Sequence, residues 1–258
     1  MIALSKRLQA VAALAGEGVR VIDIGTDHGY IPLYLIENGR MREGLACDVR
    51  PGPLARATEH IALYGYTEQI TTRLSDGLDR ISVEEATGAV IVMAGMGGAL
   101  IRRLVSAKAE VAAAAKRLVL QPQSEWPQFR RWLLDSGFAI EQEHLLEEDG
   151  KWYLCFAGQS GTTAFATVKD RQLFQDAETV KDGAIRQTAD AVSKHYGDYL
   201  FTHQPAQLLR FLQKEAKGLA AILQQLPLDA GQRRDEVTAL LAVNRLAQER
   251  LTVQDNRR

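Results

Sequence analysis

The chain has 258 residues, of which 46% are hydrophobic and 24% are charged, and its formal net charge is −1. This composition suits one large α/β domain with a small appendage, and the low net charge argues against binding nucleic acid by bulk charge. Cys47 and Cys155 lie far apart, so we expect no disulfide scaffold and no metal site, in keeping with a reducing cytoplasm. No segment approaches the length of a membrane span, and we expect no membrane partner.

The first stretch, MIALSKRLQAVAALAG, is predicted to form an amphipathic helix with Ser5 as its N-cap. From residue 19 to residue 158, apolar runs of strand length then alternate with amphipathic stretches of helix length. The seven candidate strands are VRVIDI, EGLACDV, ITTRLS, GAVIVMA, RLVLQ, FAIEQEHLL and KWYLCFAG. The last two are joined only by EEDG, which indicates a hairpin. The pattern predicts an α/β fold with a seven-stranded, mostly parallel, doubly wound sheet and one antiparallel strand.

The composition changes at GQSGTTAF, residues 158–165, and strand patterns end there. We therefore predict two domains, with residues 1–160 forming the sheet and residues 161–258 a helical domain. The stretches QPAQLLRFLQKEAKGLAAILQQLPLD and RRDEVTALLAVNRLAQERL both have apolar residues at helical spacing, with LPLDAGQ between them. This arrangement predicts an antiparallel helical hairpin.

Acidic residues follow the first three predicted strands, where parallel sheets of this kind bind ligands. IDIGTDHG places Asp23, Gly25 and Asp27 at the first strand end, LACDV places Asp48 at the second, and RLSDGLD places Asp76 at the third. Asp48 can accept hydrogen bonds from both ribose hydroxyls, and Asp76 from the exocyclic amino group of adenine. Acids at the first turn would repel the pyrophosphate of NAD but attract the cationic groups of S-adenosylmethionine (SAM). The charges therefore favour SAM as the cofactor.

The fourth strand ends in VMAGMGGALI. Its glycines either bring the backbone close to the methyl donor and a planar substrate, or form a tight turn in which Gly97 and Gly98 serve packing. Both interpretations stay open at this point.

The segments DIGTDHGYIPLYL, SDGLD, MAGMGG and LVLQPQ, in this order and spacing, resemble the bacterial tRNA (adenine-22-N1)-methyltransferase family. The resemblance covers residues 1–160 well and the later helices more weakly. It implies a Rossmann-like class I methyltransferase fold with a C-terminal α-helical, coiled-coil-like domain. It also implies methyl transfer from SAM to N1 of an adenine at position 22, in the D-arm of tRNA. Gln123 departs from the Asn expected in the family, which displaces the amide by one methylene.

The resemblance and the strand-end acids together give three sets of candidate site residues. The cofactor-binding set is Asp23, Gly25, Thr26, Asp27, Asp48, Asp76, Gly77, Ala94 and Gly95. The catalytic set, bordering the target base, is Asp27, His28 and Tyr30. The substrate-binding set is Met96, Gly97, Gly98, Gln121, Pro122 and Gln123. In these sets Tyr30 offers a stacking face or a hydroxyl, and His28 is either a base for the adenine N6 proton or a structural hydrogen-bonder.

Basic doublets in the first domain either form a rim for RNA phosphates or are solvated faces. They are Lys6-Arg7, Arg102-Arg103, Lys116-Arg117 and Arg130-Arg131. Three functions remain open: a tRNA methyltransferase, a SAM-dependent methyltransferase acting on a small molecule or a protein, and a SAM-binding interaction protein without turnover.

Overall fold

Seven strands form one mixed sheet in a computed structural model, which describes residues 2–160, 189–227 and 229–255 of the chain. The strands are β1 (Arg20–Ile24), β2 (Glu43–Asp48), β3 (Ile70–Leu74), β4 (Val90–Met96), β5 (Arg117–Pro122), β6 (Phe138–Glu148) and β7 (Lys151–Ser160). Their order across the sheet is β3-β2-β1-β4-β5-β7-β6. Strand β7 is antiparallel to both of its neighbours, and the pairs among β1 to β5 are parallel. The predicted mostly parallel sheet with one antiparallel strand is confirmed.

The helices of residues 2–160 lie before β1 and between successive strands up to β6. They are α1 (Lys6–Ala15), α2 (Tyr30–Glu37), α3 (Pro51–Leu63), α4 (Val83–Ala86), α5 (Gly98–Ala107), α6 (Ala109–Ala114) and α7 (Trp126–Asp135). The predicted cap of α1 is present, since the Ser5 hydroxyl accepts a hydrogen bond from the Leu8 amide at 3.3 Å.

Both faces of the sheet are buried, as a doubly wound fold requires. One core cluster joins the buried sides of α1 and α2 to alternate strand residues such as Val21, Val92 and Val119. The intervening residues, for example Ile22 and Leu120, are fully buried on the opposite face. This double burial explains why the central strands read as continuous apolar runs.

The β6–β7 hairpin turns at Asp149 and Gly150, both with positive φ, at 50° and 75°. Glu148 pairs with Lys151 directly across this turn, and an Asp-Gly pair is favoured at a two-residue turn of this kind. Further along the hairpin, a Cβ on Gly158 would lie 1.9 Å from the carbonyl oxygen of Ala139, so the two backbones approach too closely for any side chain.

The chain divides into two compact units, Met1–Val168 and Lys169–Arg258. The predicted boundary at residue 160 falls next to residues outside the described part of the chain, so it stays a prediction. The second unit contains α8 (Ala189–Tyr196), α9 (Asp198–His203), α10 (Pro205–Gln225) and α11 (Gly231–Asp255).

The predicted helical hairpin of the second unit is formed by α10 and α11. Asn244 donates to the Leu212 carbonyl at 3.0 Å, and Arg234 donates to the Leu223 carbonyl at 3.1 Å. Residues late in α11 thus face residues early in α10, which makes the pair antiparallel. Buried side chains such as Leu212 fill the contact, so the apolar stripes of these two helices serve mutual packing.

Candidate active site

The candidate site lies at the carboxyl ends of β1 to β5. The order of the sheet reverses between β1 and β4, which are neighbours although two strands separate them in the chain. Helices leave such a point on opposite faces of the sheet, and the crevice between them is the usual ligand position in this fold class. The predicted acids and glycines all lie at strand ends on this edge.

The turn after β1 is fastened to the end of β2. The amides of Gly25 and Thr26 both donate to the carbonyl oxygen of Cys47 at 2.8 Å. Gly25 has φ 74°, and a Cβ at this position would lie 2.1 Å from Cε of Met96. The positive φ favours glycine at this position, and Met96 from the end of β4 lies close to the turn.

Asp23 and Asp48 bring two buried carboxylates to adjacent strand ends. Each residue is 6% exposed. Burial raises the pKa of Asp23 to about 6; the Thr26 side chain opposes this rise, and the nearby Asp48 carboxylate adds to it. An acid pair desolvated in this way favours a ligand that brings positive charge or hydrogen-bond donors.

The two carboxylate oxygens of Asp48 differ in their hydrogen bonding. Its Oδ1 accepts a hydrogen bond from the Arg50 amide at 2.7 Å, whereas Oδ2 accepts none from the described residues. Val49, next in the chain, is 56% exposed and offers an apolar surface beside the acid. Val49 could not be predicted as a site residue, because an isolated valine at a strand end forms no sequence pattern of its own.

The end of β3 is joined to the same edge through Asp48, whose carbonyl oxygen accepts from the Ser75 amide at 2.9 Å. Asp76 follows with a half-exposed carboxylate. Gly77 has φ 57°, and a Cβ there would lie 2.5 Å from Cδ2 of Leu104 in α5. Gly77 thus permits the close packing of this loop against α5 that sets the position of Asp76.

The three predicted catalytic residues lie together at the start of α2. His28 has a positive φ of 62°, and its ring stacks on Tyr30 with centroids 5.3 Å apart. Asp27 is exposed, and its Oδ1 lies 3.4 Å from Nε2 of His28. The His60 ring of α3 adds a contact to His28 at 4.8 Å, which the sequence did not predict because it arises from the packing of α3 on the Gly29 turn.

The loop after β4 is held by Gln121 of β5. Its Oε1 accepts from the Gly95 amide at 2.9 Å and from Nη1 of Arg7 at 3.0 Å. Its Nε2 donates to the Pro122 carbonyl at 3.0 Å. The Arg7 guanidinium also lies over the Tyr153 ring, 5.7 Å from the centroid.

Gln121 and Pro122, two of the predicted substrate-binding residues, belong to this network, and their contact with a substrate stays a prediction. Gln121 is 0% exposed and Pro122 is also buried, so both side chains lie inside the fold. Gln123 differs because it is exposed, and its Nε2 would lie 4.0 Å from a Cβ on Gly95. We therefore infer that Gln121 positions the loop and that Gln123 remains the candidate for a substrate contact.

The glycines after Met96 divide between the two interpretations left open above. A Cβ on Gly98 would lie 3.2 Å from the Ser124 carbonyl oxygen and 3.4 Å from Phe129, so this glycine serves packing. Gly97 is exposed, and a Cβ added to it would have no atom within 4 Å. The crevice side of the loop is therefore formed by Ala94, Gly95, Met96 and Gly97.

The basic doublets do not form a common rim. Arg102 and Arg130 are buried, at 6% and 2% exposure. Lys116 and Arg117 precede or begin β5, which places them at the amino edge of the sheet, away from the crevice. A rim that uses both members of every doublet is therefore excluded, whereas Lys6, Arg103 and Arg131 are exposed and stay candidates for a phosphate contact.

Gln121→Leu is expected to lower the free energy of unfolding by about 1–3 kcal/mol, because the Gly95 amide and the Arg7 guanidinium lose their shared acceptor. Urea unfolding of the full chain measures the change. Gln123→Leu, a matched control at an exposed position, should stay within about 0.5 kcal/mol of wild type. Equal stabilities of the two variants would contradict the assigned role of Gln121.

Two further features concern possible cofactors and membranes. Within residues 2–160, 189–227 and 229–255, no group of three or more His, Cys, Asp or Glu side chains has a geometry that could hold a metal ion. No helix of the same ranges combines the length and apolarity that crossing a membrane requires.

Comparison with known proteins supplies independent findings. A family model described as a methyltransferase domain matches residues 4–156. The curated tRNA (adenine(22)-N(1))-methyltransferase of Bacillus subtilis is 37% identical over 158 residues, which make up 61% of this chain and 66% of that protein. The match thus spans just under two thirds of the relative's length.

Solved structures align over nearly the whole chain. The crystal structure of the B. subtilis m1A22 tRNA methyltransferase TrmK has 28% sequence identity and a TM-score of 0.76, covering 96% of this chain and 100% of that chain. Streptococcus pneumoniae Sp1610, in complex with S-adenosyl-L-methionine, has 28% identity and a TM-score of 0.75, covering 95% of this chain and 100% of that chain.

Proposed function

Since this chain belongs to the methyltransferase domain family, we propose that it transfers a methyl group from SAM to N1 of the adenine at position 22 in the D-arm of tRNA. The observation that carries the proposal is the pair of buried carboxylates, Asp23 and Asp48, at adjacent strand ends. The names of the B. subtilis relative and of the aligned TrmK structure support the choice of substrate.

The residues of the crevice fit SAM. Asp23 supplies a carboxylate for its cationic amino group, and the Gly25 turn lies directly after it in the chain. Asp48 offers its available Oδ2 to the ribose hydroxyls, with the exposed Val49 beside it for the adenine ring. Asp76, with its half-exposed carboxylate, accepts from the exocyclic amino group of that ring.

Bound SAM supplies a methyl group that is already a strong electrophile, and adenine N1 carries a lone pair. The chain therefore needs to supply position rather than a nucleophile. The in-line arrangement of the two reactants is worth several kcal/mol of the barrier. Extracting the adenine from its stack costs a few kcal/mol, which Tyr30 offsets by presenting its ring as a stacking surface.

Methylation at N1 places positive charge on the adenine ring. Asp27 is an exposed carboxylate beside the crevice, and it can accept a hydrogen bond from the N6 amino group and stabilise that charge electrostatically. A carbonyl group of the Ala94–Gly97 loop can accept from the same amino group. His28 contacts Asp27 and Tyr30, a position from which it orients both side chains.

The test is incubation of the full chain with an unmodified tRNA transcript and SAM labelled in its methyl group, followed by nucleoside analysis. Label is expected in 1-methyladenosine at position 22, and a transcript with guanine at that position should stay unlabelled. Label in protein or in a small molecule would support the alternative methyltransferase function. SAM binding without any transfer would indicate an interaction protein, and calorimetric binding of NAD in place of SAM would overturn the cofactor assignment.

A further inference from the structure

Three acids of the candidate site each have an exposed arginine guanidinium nearby. The pairs are Asp27 with Arg56 at 3.5 Å, Asp48 with Arg50 at 3.6 Å, and Asp76 with Arg103 at 3.4 Å. Arg50, Arg56 and Arg103 come from the start of α3 and from α5, the helices that follow β2 and β4. We refer to these three residues as the arginine arc.

The contacts of the arginine arc are loose. A close charge-assisted hydrogen bond measures roughly 2.7–2.9 Å, and each contact in the arc is longer and engages one nitrogen of the guanidinium. Arg73 shows the difference, because it binds both oxygens of Glu85 at 2.7 and 3.0 Å. The arc residues make no further side-chain hydrogen bond or ion pair with the described residues, so these single contacts leave the other guanidinium donors without a protein acceptor there.

Fold stability does not account for the arc. The Arg50, Arg56 and Arg103 side chains are 74%, 48% and 58% exposed. Exposed ion pairs contribute only about 0–1 kcal/mol. These cations are therefore available for a ligand outside the fold.

The acids of the crevice create an electrostatic conflict. Carboxylates that favour a cationic cofactor repel the phosphates of an RNA that must bring its base into the same crevice. A guanidinium beside each acid places positive charge at the opening of the crevice. The sugar-phosphate backbone of the RNA approaches the protein at this opening. Guanidinium groups also match phosphate geometry and can bind it through two parallel hydrogen bonds.

We propose that Arg50, Arg56 and Arg103 bind the backbone phosphates of the RNA substrate around the nucleotide that is methylated. The positive charge of the arginine arc reduces the repulsion between the crevice acids and the RNA. The carboxylate oxygens that bind the cofactor stay in place. This inference rests on the proposed function, since it takes an RNA as the substrate.

The test uses Arg50→Gln, Arg56→Gln, Arg103→Gln and the triple variant of the full chain. Binding of an unmodified tRNA transcript is measured by fluorescence anisotropy between ~50 and ~200 mM salt. Each lost phosphate contact should reduce the slope of log K against log salt by about 0.9, so the triple variant should lose about 2–3 in slope. Arg56→Lys and Arg103→Lys should retain the wild-type slope, because they keep the charge.

Arg42→Gln is the matched control. Arg42 is exposed and immediately precedes β2 at the amino edge of the sheet, so its loss should leave the slope unchanged. SAM affinity, measured by calorimetry, should not fall in any arc variant, because the arginines compete with a cationic ligand for the acids.

Three outcomes would overturn the arc: a wild-type salt slope in the triple variant, weaker tRNA binding without a change in slope, or a parallel loss of SAM affinity. The proposed function fails separately, by the absence of 1-methyladenosine at position 22 with the wild-type chain. If the wild type methylates the tRNA and the triple variant keeps the wild-type salt slope, only the proposed role of the arginine arc is refuted.

Discussion

Glu143→Ala is expected to lower the free energy of unfolding by about 3–5 kcal/mol, because it removes the carboxylate that faces the buried Arg130 guanidinium. Arg130 of α7 and Glu143 of β6 have side chains only 2% exposed. Nε of Arg130 donates to Oε1 of Glu143 at 3.1 Å, and the guanidinium lies over the Phe156 ring. Urea unfolding of the full chain gives the change directly.

Two further variants separate charge from packing. Glu141→Ala removes the partner of Arg117 in a more exposed pair and should cost no more than about 1 kcal/mol. The double variant Arg130→Met/Glu143→Leu removes both charges and should recover most of the loss. A Glu143→Ala protein as stable as Glu141→Ala would contradict the assigned energy of the buried pair.

Asp23→Asn is expected to stabilise the protein without ligand while weakening SAM binding. The folded-state pKa of Asp23 is raised from 3.8 to about 6, so folding disfavours the ionised carboxyl. The stability that the folded state gains from keeping the Asp23 carboxyl neutral is fully present below pH 4. It is lost as the pH rises through 6. At about 1.4 kcal/mol for each pKa unit, the ionised carboxyl costs roughly 2–3 kcal/mol at neutral pH, and Asn avoids this cost.

The measurement is urea unfolding of wild type and Asp23→Asn at several pH values. The stability difference in favour of Asn should appear between about pH 4 and pH 6 and stay constant above. Calorimetry should show SAM affinity reduced by about 10–100-fold, because a charge-assisted hydrogen bond is lost. Asp135→Asn, at an exposed acid of α7, should change neither quantity, and a pH-independent difference for Asp23→Asn would refute the pKa assignment.

The strand ends were predictable from sequence because their signals are local. Asp23, Gly25 and Asp48 follow apolar runs too short for helices, and alternation of strands and helices brings such positions to one edge of the sheet. The Asp149-Gly150 turn was predictable for the same reason, since neighbouring residues alone determine its backbone conformation.

The rest depends on contacts between residues distant in sequence. In Arg102-Arg103 and Arg130-Arg131, adjacent helical residues point about 100° apart, so one member of each doublet is buried and the other exposed. Which member enters the core is decided by other elements, such as Glu143 of β6. The burial of Gln121 likewise depends on Arg7 of α1, more than a hundred residues earlier.

The position of β7 has a consequence for the order in which the molecule can assemble. Strand β7 is the last strand of the described residues in sequence order, yet it lies between β5 and β6. A nascent chain emerges from the ribosome amino end first, so the five parallel strands can pair while the outer edge of β5 still lacks a neighbour. An unpaired edge of this kind can pair with other chains. Completion of the hairpin removes that edge, so a released chain truncated before residue 151 would be prone to association.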